Sequence, residues 1–197
     1  ELLRDLTDRG LLRLKEGRWQ AQAISELTVA PGVREAITAR LKRLSAPART
    51  LAEIAATIGP AFPFDLLCQA SGWPERELLE RLDELLNGQI IREADRRGAF
   101  DYVFSHHLVQ AVLYGEASPT QRRRRHRRIA GLLVEQNETP AEIARHYDLG
   151  GEPERAAAFY FQAARRALVL RAAGEALSAL ARGKALAQEK ALRWQIL

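Results

Sequence analysis

The four histidines are the side chains in this sequence best suited to proton transfer or metal binding: His106, His107, His126 and His146. His106 and His107 are adjacent, and adjacent side chains on a helix diverge by about 100°, so this pair cannot easily share one metal ion. The single cysteine, Cys68, does not favour a structural zinc site, since such sites combine several cysteines and histidines. The sequence therefore predicts no metal ion and no cofactor in this chain.

Several motifs of common enzyme classes are missing from the sequence. There is no phosphate loop of the Gly-x-x-x-x-Gly-Lys-Ser/Thr type, no Gly-x-Ser-x-Gly nucleophile elbow and no His-Glu-x-x-His zinc motif. We therefore expect that this chain is not an enzyme by itself.

A run of arginines is the second group with chemical potential. Residues 119–136 carry six arginines against Glu135, a net charge of +5, and the whole chain is also +5, so the remainder sums to zero. One interpretation is an anionic partner, such as nucleic acid or an acidic protein surface. The other is a solvated or domain-facing helix, because Arg122, Arg125 and His126 continue its apolar stripe and can extend along a neighbouring domain with their heads in water. The sequence favours the second interpretation. The six arginines are Arg122, Arg123, Arg124, Arg125, Arg127 and Arg128.

The overall composition indicates a folded protein without a membrane span. The 197 residues are 47% apolar and 28% charged, which is ordinary for a globular chain. No apolar stretch reaches the roughly 18 residues that a membrane helix needs, and no secretion signal is present. One cysteine cannot form an internal disulfide, which predicts a cytoplasmic location. Residues 1–6 read as the middle of a helix, so we expect a fragment of a longer polypeptide.

Hydrophobic periodicity divides the chain into three parts, 1–32, 33–117 and 118–197. The first part contains a helix end at 1–9 and a possible β-hairpin, with strands at 11–14 and 18–20. In the second part the pattern predicts four helices and then two strands, at 33–44, 45–58, 64–71, 74–86, 89–93 and 99–105. Three helices followed by a two-stranded hairpin is the order of a winged-helix domain.

Only helices are predicted after this hairpin, at 106–116, 119–136, 140–148, 153–170, 172–188 and from 190 onward. Paired helices on short loops indicate a solenoid. Residues 137–170 match the 34-residue tetratricopeptide unit, in which small residues lie where the helices touch and aromatic residues fill the gaps. The matching residues are Ile143, Ala144, Tyr147, Ala156, Tyr160 and Ala163. The predicted fold class is mainly α, with a winged helix followed by a tetratricopeptide-like solenoid that binds a protein or small-molecule effector.

The third helix of the predicted winged helix does not favour DNA binding. A winged helix that reads DNA places this helix in the major groove, where basic side chains neutralise phosphates. Residues 74–86 carry five acidic and two basic residues, a net charge of −3. DNA contact by this helix is therefore possible but not favoured.

Several segments resemble the STAND-type, AAA+-related signalling ATPases, which include large bacterial transcriptional regulators. The segment 104–114, Phe-Ser-His-His-Leu-Val-Gln-Ala-Val-Leu-Tyr, is similar to the Phe-Ser-His-Asp-Leu-Val…Ala-Val-Tyr signature of that family. Segments at 33–45, 124–130 and 144–147 resemble it as well, in the family's order.

The resemblance implies a regulatory segment that follows an ATPase core. Residues 1–32 would be the exit from that core, ATP or ADP would bind in the core, and the winged helix would dock on it within the same protein. His106 would face the phosphates of the bound nucleotide, while His107 stands where the family usually has aspartate. The alternative for His106 is that it only caps or packs the start of the following helix.

Overall fold

The computed structural model describes residues 12–15, 18–21, 37–94 and 100–196, with side-chain environments for 37–94 and 100–188. Over these residues the chain is mainly helical with small β-sheets. It divides into two compact units, residues 1–36 and 37–197. The predicted boundary at residue 117 lies inside the second unit. None of the described helices is long and apolar enough to cross a membrane.

The described part of the first unit is a pair of antiparallel strands. Strands β1 (Leu12–Lys15) and β2 (Arg18–Ala21) pair with Leu12 opposite Ala21 and Lys15 opposite Arg18. The predicted hairpin strands are therefore formed. The helix predicted at 1–9 lies outside the described residues.

The second unit begins with helical residues 37–41, followed by three helices, α1 (Ala46–Ile58), α2 (Phe64–Ser71) and α3 (Glu75–Asn87). Helix α1 starts where predicted because the Ser45 hydroxyl accepts a hydrogen bond from the Ala48 backbone N–H at 3.2 Å. The Glu84 carboxylate accepts bonds from the backbone N–H and hydroxyl of Ser45, which ties α3 to the start of α1. Helix α2 ends at Gly72, whose φ of +71° is left-handed.

A three-stranded antiparallel sheet covers the ends of these helices. Strands β3 (Ala61–Phe62), β4 (Ile91–Glu93) and β5 (Tyr102–Phe104) are ordered β3-β5-β4. The two predicted strands were too long, because the ladder pairs only three residues of each. Strand β3 was not predicted, since two residues are too short to show a period of two. Phe62 is fully buried between Tyr102 and Phe104, with ring centroids at 6.0 and 5.8 Å.

Five helices complete the unit: α4 (His107–Glu116), α5 (Pro119–Glu135), α6 (Pro140–Leu149), α7 (Pro153–Val169) and α8 (Ala173–Ile196). A capping box of Ser118 and Gln121 starts α5. We predicted two helices where the structure has only α8. Residues 187–191, Ala-Gln-Glu-Lys-Ala, are strong helix formers and contain no glycine or proline that could end the helix.

One hydrophobic core runs through the second unit. It includes Leu51 of α1, Phe62 of β3, Leu82 of α3, Ile129 of α5 and Ala156 of α7. The helix-and-sheet part, residues 37–116, and the helical part, residues 118–188, therefore share apolar contacts instead of forming separate cores.

Candidate functional site

His106 caps helix α4 through one ring nitrogen, Nδ1, and its other ring nitrogen, Nε2, is not used by the cap. Its Nδ1 accepts a hydrogen bond from the Leu108 backbone N–H at 3.2 Å. An imidazole that accepts at Nδ1 carries its proton at Nε2 when neutral. The ring is exposed and stacks on His107, with centroids 4.5 Å apart. Capping and the donation of an Nε2 proton to an anion are thus compatible in His106.

The six arginines of α5 separate into two groups. Arg124, Arg125 and Arg128 line a cleft, together with Gln121 on the same face of the helix. The others point elsewhere: Arg122 lies over the Tyr114 ring at 5.0 Å, Arg127 pairs with Glu152 at 3.5 Å, and Arg123 is exposed near Gly151. The predicted run is therefore not one continuous basic surface.

The cleft lies between α5, α1 and the turn that follows α2. Its volume is ≈ 410 Å³, and its lining includes Thr50 of α1, Ser71 of α2 and the half-buried Trp73. Arg125 is held by Glu53 of α1 at 2.7 Å, and its side chain is 17% exposed. Arg128 donates to the backbone carbonyl of Gln69 at 2.8 Å.

A chain of hydrogen bonds through two buried histidines joins four elements. Tyr114 Oη of α4 lies 2.9 Å from His126 Nε2 of α5, and His126 Nδ1 lies 2.9 Å from His146 Nδ1 of α6. His146 Nε2 lies 2.9 Å from Arg145 Nη2, which also donates to the carbonyl of Ile58 at the end of α1. His126 and His146 are 1% and 0% exposed.

One consistent set of directions for the bonds in this chain starts from the Arg145 donor. Arg145 can only donate, so His146 Nε2 accepts and the neutral ring carries its proton at Nδ1. His146 Nδ1 then donates to His126 Nδ1, and His126 donates from Nε2 to the Tyr114 oxygen. With these directions, each buried nitrogen has a partner when both rings are neutral.

Burial keeps both histidines neutral. It lowers the pKa of His126 to about 4, and the nearby guanidinium groups of Arg145 and Arg122 act in the same direction. Burial also lowers the pKa of His146 to about 3, assisted by Arg145 and His126. The two rings are therefore a structural link near neutral pH and not a proton-transfer pair.

The residues predicted for repeat packing lie at the contact between α6 and α7. Ile143, Ala144, Ala156 and Ala163 are buried, and so is Tyr147, whose ring stacks on a neighbouring phenylalanine of α7. Tyr160 is half-buried, and its hydroxyl donates to Asp148 at 3.4 Å. The Asp148 carboxylate also binds Arg182 of α8 at 2.7 and 2.8 Å, so α6, α7 and α8 meet at one residue.

Sequence reasoning missed the histidine chain and the acidic partner of the arginines. The structure places the imidazole of His126 in the core and not in water, because the helix turns this position toward α6. No sequence spacing links His126 to His146 or Arg125 to Glu53, since both pairs join separate helices. The Ala-Arg-His-Tyr segment at 144–147 was the one available signal for His146.

Within the described residues, no group of three or more histidine, cysteine, aspartate or glutamate side chains is placed to hold a metal ion. No protein-family model matches the chain, and neither a curated protein nor a solved structure matches it.

Proposed function

We propose that this chain is the regulatory and scaffold segment of a nucleotide-controlled signalling ATPase of the STAND type, in a transcriptional regulator. Residues 37–116 would dock on the ATPase core, and the helices from 118 onward would bind a protein or small-molecule effector. The observation that carries the proposal is the shared core of residues 37–188, reinforced by the hydrogen-bonded chain from Tyr114 to Ile58. Contacts of this kind support coupling between the two parts, which a switch requires.

The arrangement of residues 46–104 supports a winged-helix module. Three helices precede the β4–β5 hairpin, and β3, between the first two helices, adds to β5 as a third strand. Helices α6 and α7 support a tetratricopeptide-like unit, because buried alanines allow their close approach. Tyr147 fills the space beside them.

The surface between α3 and the sheet supports docking on a protein over binding to DNA. A cleft of ≈ 820 Å³ there is lined by Asp65, Glu75, Glu93 and Asp101, and no lysine or arginine is among its described lining residues. DNA phosphates would be repelled from this surface. A basic protein surface would complement it.

Nucleic-acid binding through α5 is the competing function. Its supporting observation is that Arg123 and Arg124 are exposed on a helix of net charge +5. Binding to phosphates would weaken steeply as salt is raised and would be lost in the double variant Arg124→Glu with Arg128→Glu. The scaffold proposal predicts that the wild-type chain already binds little nucleic acid, so the double variant should change this binding very little.

The coding sequence upstream of Glu1 is the first test. A phosphate loop followed by an acidic strand motif within roughly 250 residues, the upper size of a single domain, supports the proposal. A start codon at or next to Glu1 contradicts it.

His106 gives the second test, in the protein that includes the core. His106→Asn keeps an N-cap but removes the Nε2 donor, so we expect α4 to stay intact and bound ADP to be lost more readily. Retained ADP is measured after purification, and His107→Asn is the matched control. Equal ADP retention in wild type and His106→Asn would remove His106 from the nucleotide site.

A further inference from the structure

The arginine cleft carries positive charge that its described surroundings do not balance. Arg124, Arg125 and Arg128 contribute three charges, and Glu53 offsets the one on Arg125. The partner that Arg128 contacts is a backbone carbonyl, which is neutral. About two positive charges therefore remain on residues that line one cleft, and this charge favours a dianion as its occupant.

A buried donor in the same cleft also has no acceptor. The Nη1 atom of Arg125 is fully buried and makes no hydrogen bond to any described residue. A buried unpaired donor costs about 1–3 kcal/mol, more if charged. Glu53 holds Nη2 of the same guanidinium, so the group is fixed in place beside the cleft.

The other lining groups suit an organic molecule and not an inorganic ion alone. Trp73 is half-buried and supplies a flat apolar ring, against which a planar or apolar body can pack. The first turn of α5 has no acidic residue, so the partial positive charge of its amino end acts near Gln121. The volume of ≈ 410 Å³ lies within the range of roughly 300–1,000 Å³ for small-molecule sites.

We infer that this cleft binds a small phosphate monoester, with the phosphate between Arg124 and Arg128 and the organic part against Trp73. A phosphate monoester carries about −1.5 to −2 charges near neutral pH, which matches the unbalanced charge. Arginines four residues apart on one helix face have Cβ atoms about 5–6 Å apart, so the guanidinium groups of Arg124 and Arg128 can both reach the oxygens of one phosphate. This inference does not depend on an upstream ATPase.

The distribution of the arginines argues against nucleic acid as the occupant. A nucleic-acid strand is bound along an extended basic groove. Here Arg122 and Arg127 turn to Tyr114 and Glu152, away from the cleft, and Arg123 also lies outside it. Of the six arginines, only Arg124, Arg125 and Arg128 line the cleft, together with Trp73.

Calorimetric titration of the 197-residue chain with AMP tests the inference, with adenosine, inorganic phosphate and succinate as comparison probes. We expect AMP to bind more tightly than each of these. Arg124→Gln and Arg128→Gln should each weaken AMP binding by about tenfold or more, because each removes a charge-assisted hydrogen bond. Arg123→Gln removes the same charge from the same helix outside the cleft and should change the Kd by less than about twofold. Trp73→Leu should weaken AMP binding and leave phosphate binding unchanged.

Three results would overturn the inference. The first is no heat of binding with millimolar AMP. The second is succinate binding as tightly as AMP, because the phosphate is then not recognised. The third is equal weakening by Arg123→Gln and Arg124→Gln, accompanied by tight binding of single-stranded DNA, which assigns the arginines to a nucleic-acid surface. Arg123 and Arg124 are exposed, so both variants leave the core packing intact.

Discussion

The buried histidine pair should make the folded state unusually sensitive to mild acid. An unfolded histidine has a pKa near 6.5, whereas the folded values for His126 and His146 are about 4 and about 3. Because both folded values are depressed, their contribution to stability is complete above pH 6.5 and is lost as the pH falls toward the folded values. At pH 5 each histidine should already have cost about 2 kcal/mol, or about 4 kcal/mol together.

Urea unfolding between about pH 7 and 5 measures this loss, since most carboxylates are still ionised in that window. His126→Gln removes one titrating ring and should flatten the average slope over this window by about 1 kcal/mol per pH unit. His107→Gln, which removes an exposed histidine outside the buried pair, is the matched control. If the His126 variant does not fold, histidine NMR titration of the wild type gives the same information. Free energies of unfolding that are equal at pH 7 and 5, or histidine resonances that all titrate near pH 6.5, would refute the reasoning.

Two further predictions concern the contacts between helices. Arg125→Met leaves the mostly buried Glu53 carboxylate without its partner and should lower the free energy of unfolding in urea by about 2–4 kcal/mol. Adding Glu53→Gln should restore most of this loss. A single variant as stable as the wild type would contradict the ion-pair argument. Gly131→Ala should stabilise α5 by up to about 1 kcal/mol, because nothing lies within 4 Å of the new Cβ. Gly183→Ala should not show this gain in stability, because the new Cβ would lie 3.2 and 3.3 Å from side-chain atoms of Phe161 and Tyr160. An equal rise in Tm for both glycine variants would show that α7 and α8 are not in close contact.

The helices could be located from sequence because their signals are local. Ser45 is the N-cap that the sequence predicted, and Ser118 caps the helix that was predicted to start at residue 119. A proline follows each serine within two residues. The errors have local causes too. Strand β3 is too short to show periodicity, and the predicted break after residue 188 had no glycine or proline to enforce it.

The candidate site was less predictable, because its geometry depends on which helices are neighbours. The arginine run was evident, but the sequence could not show that Arg125 meets Glu53, 72 positions earlier in the chain. Nor could it show that Trp73 lines the same cleft. The pairing of His126 with His146 needs two helices to cross at a particular turn, which composition and spacing do not specify.

The contacts of α5 limit how a regulatory segment of this kind could move. Helix α5 contacts α1 through Arg125 and Glu53 on one side, and α6 through the two histidines on the other. Gly150, which follows α6, lies very close to α5: a Cβ added to it would be 2.8 Å from the Arg127 side chain. Sliding α5 would separate the charged pair and expose the neutral histidine chain, and both changes are costly. If the chain is the regulatory segment proposed above, bending it at residue 117 would be costly for the same reasons.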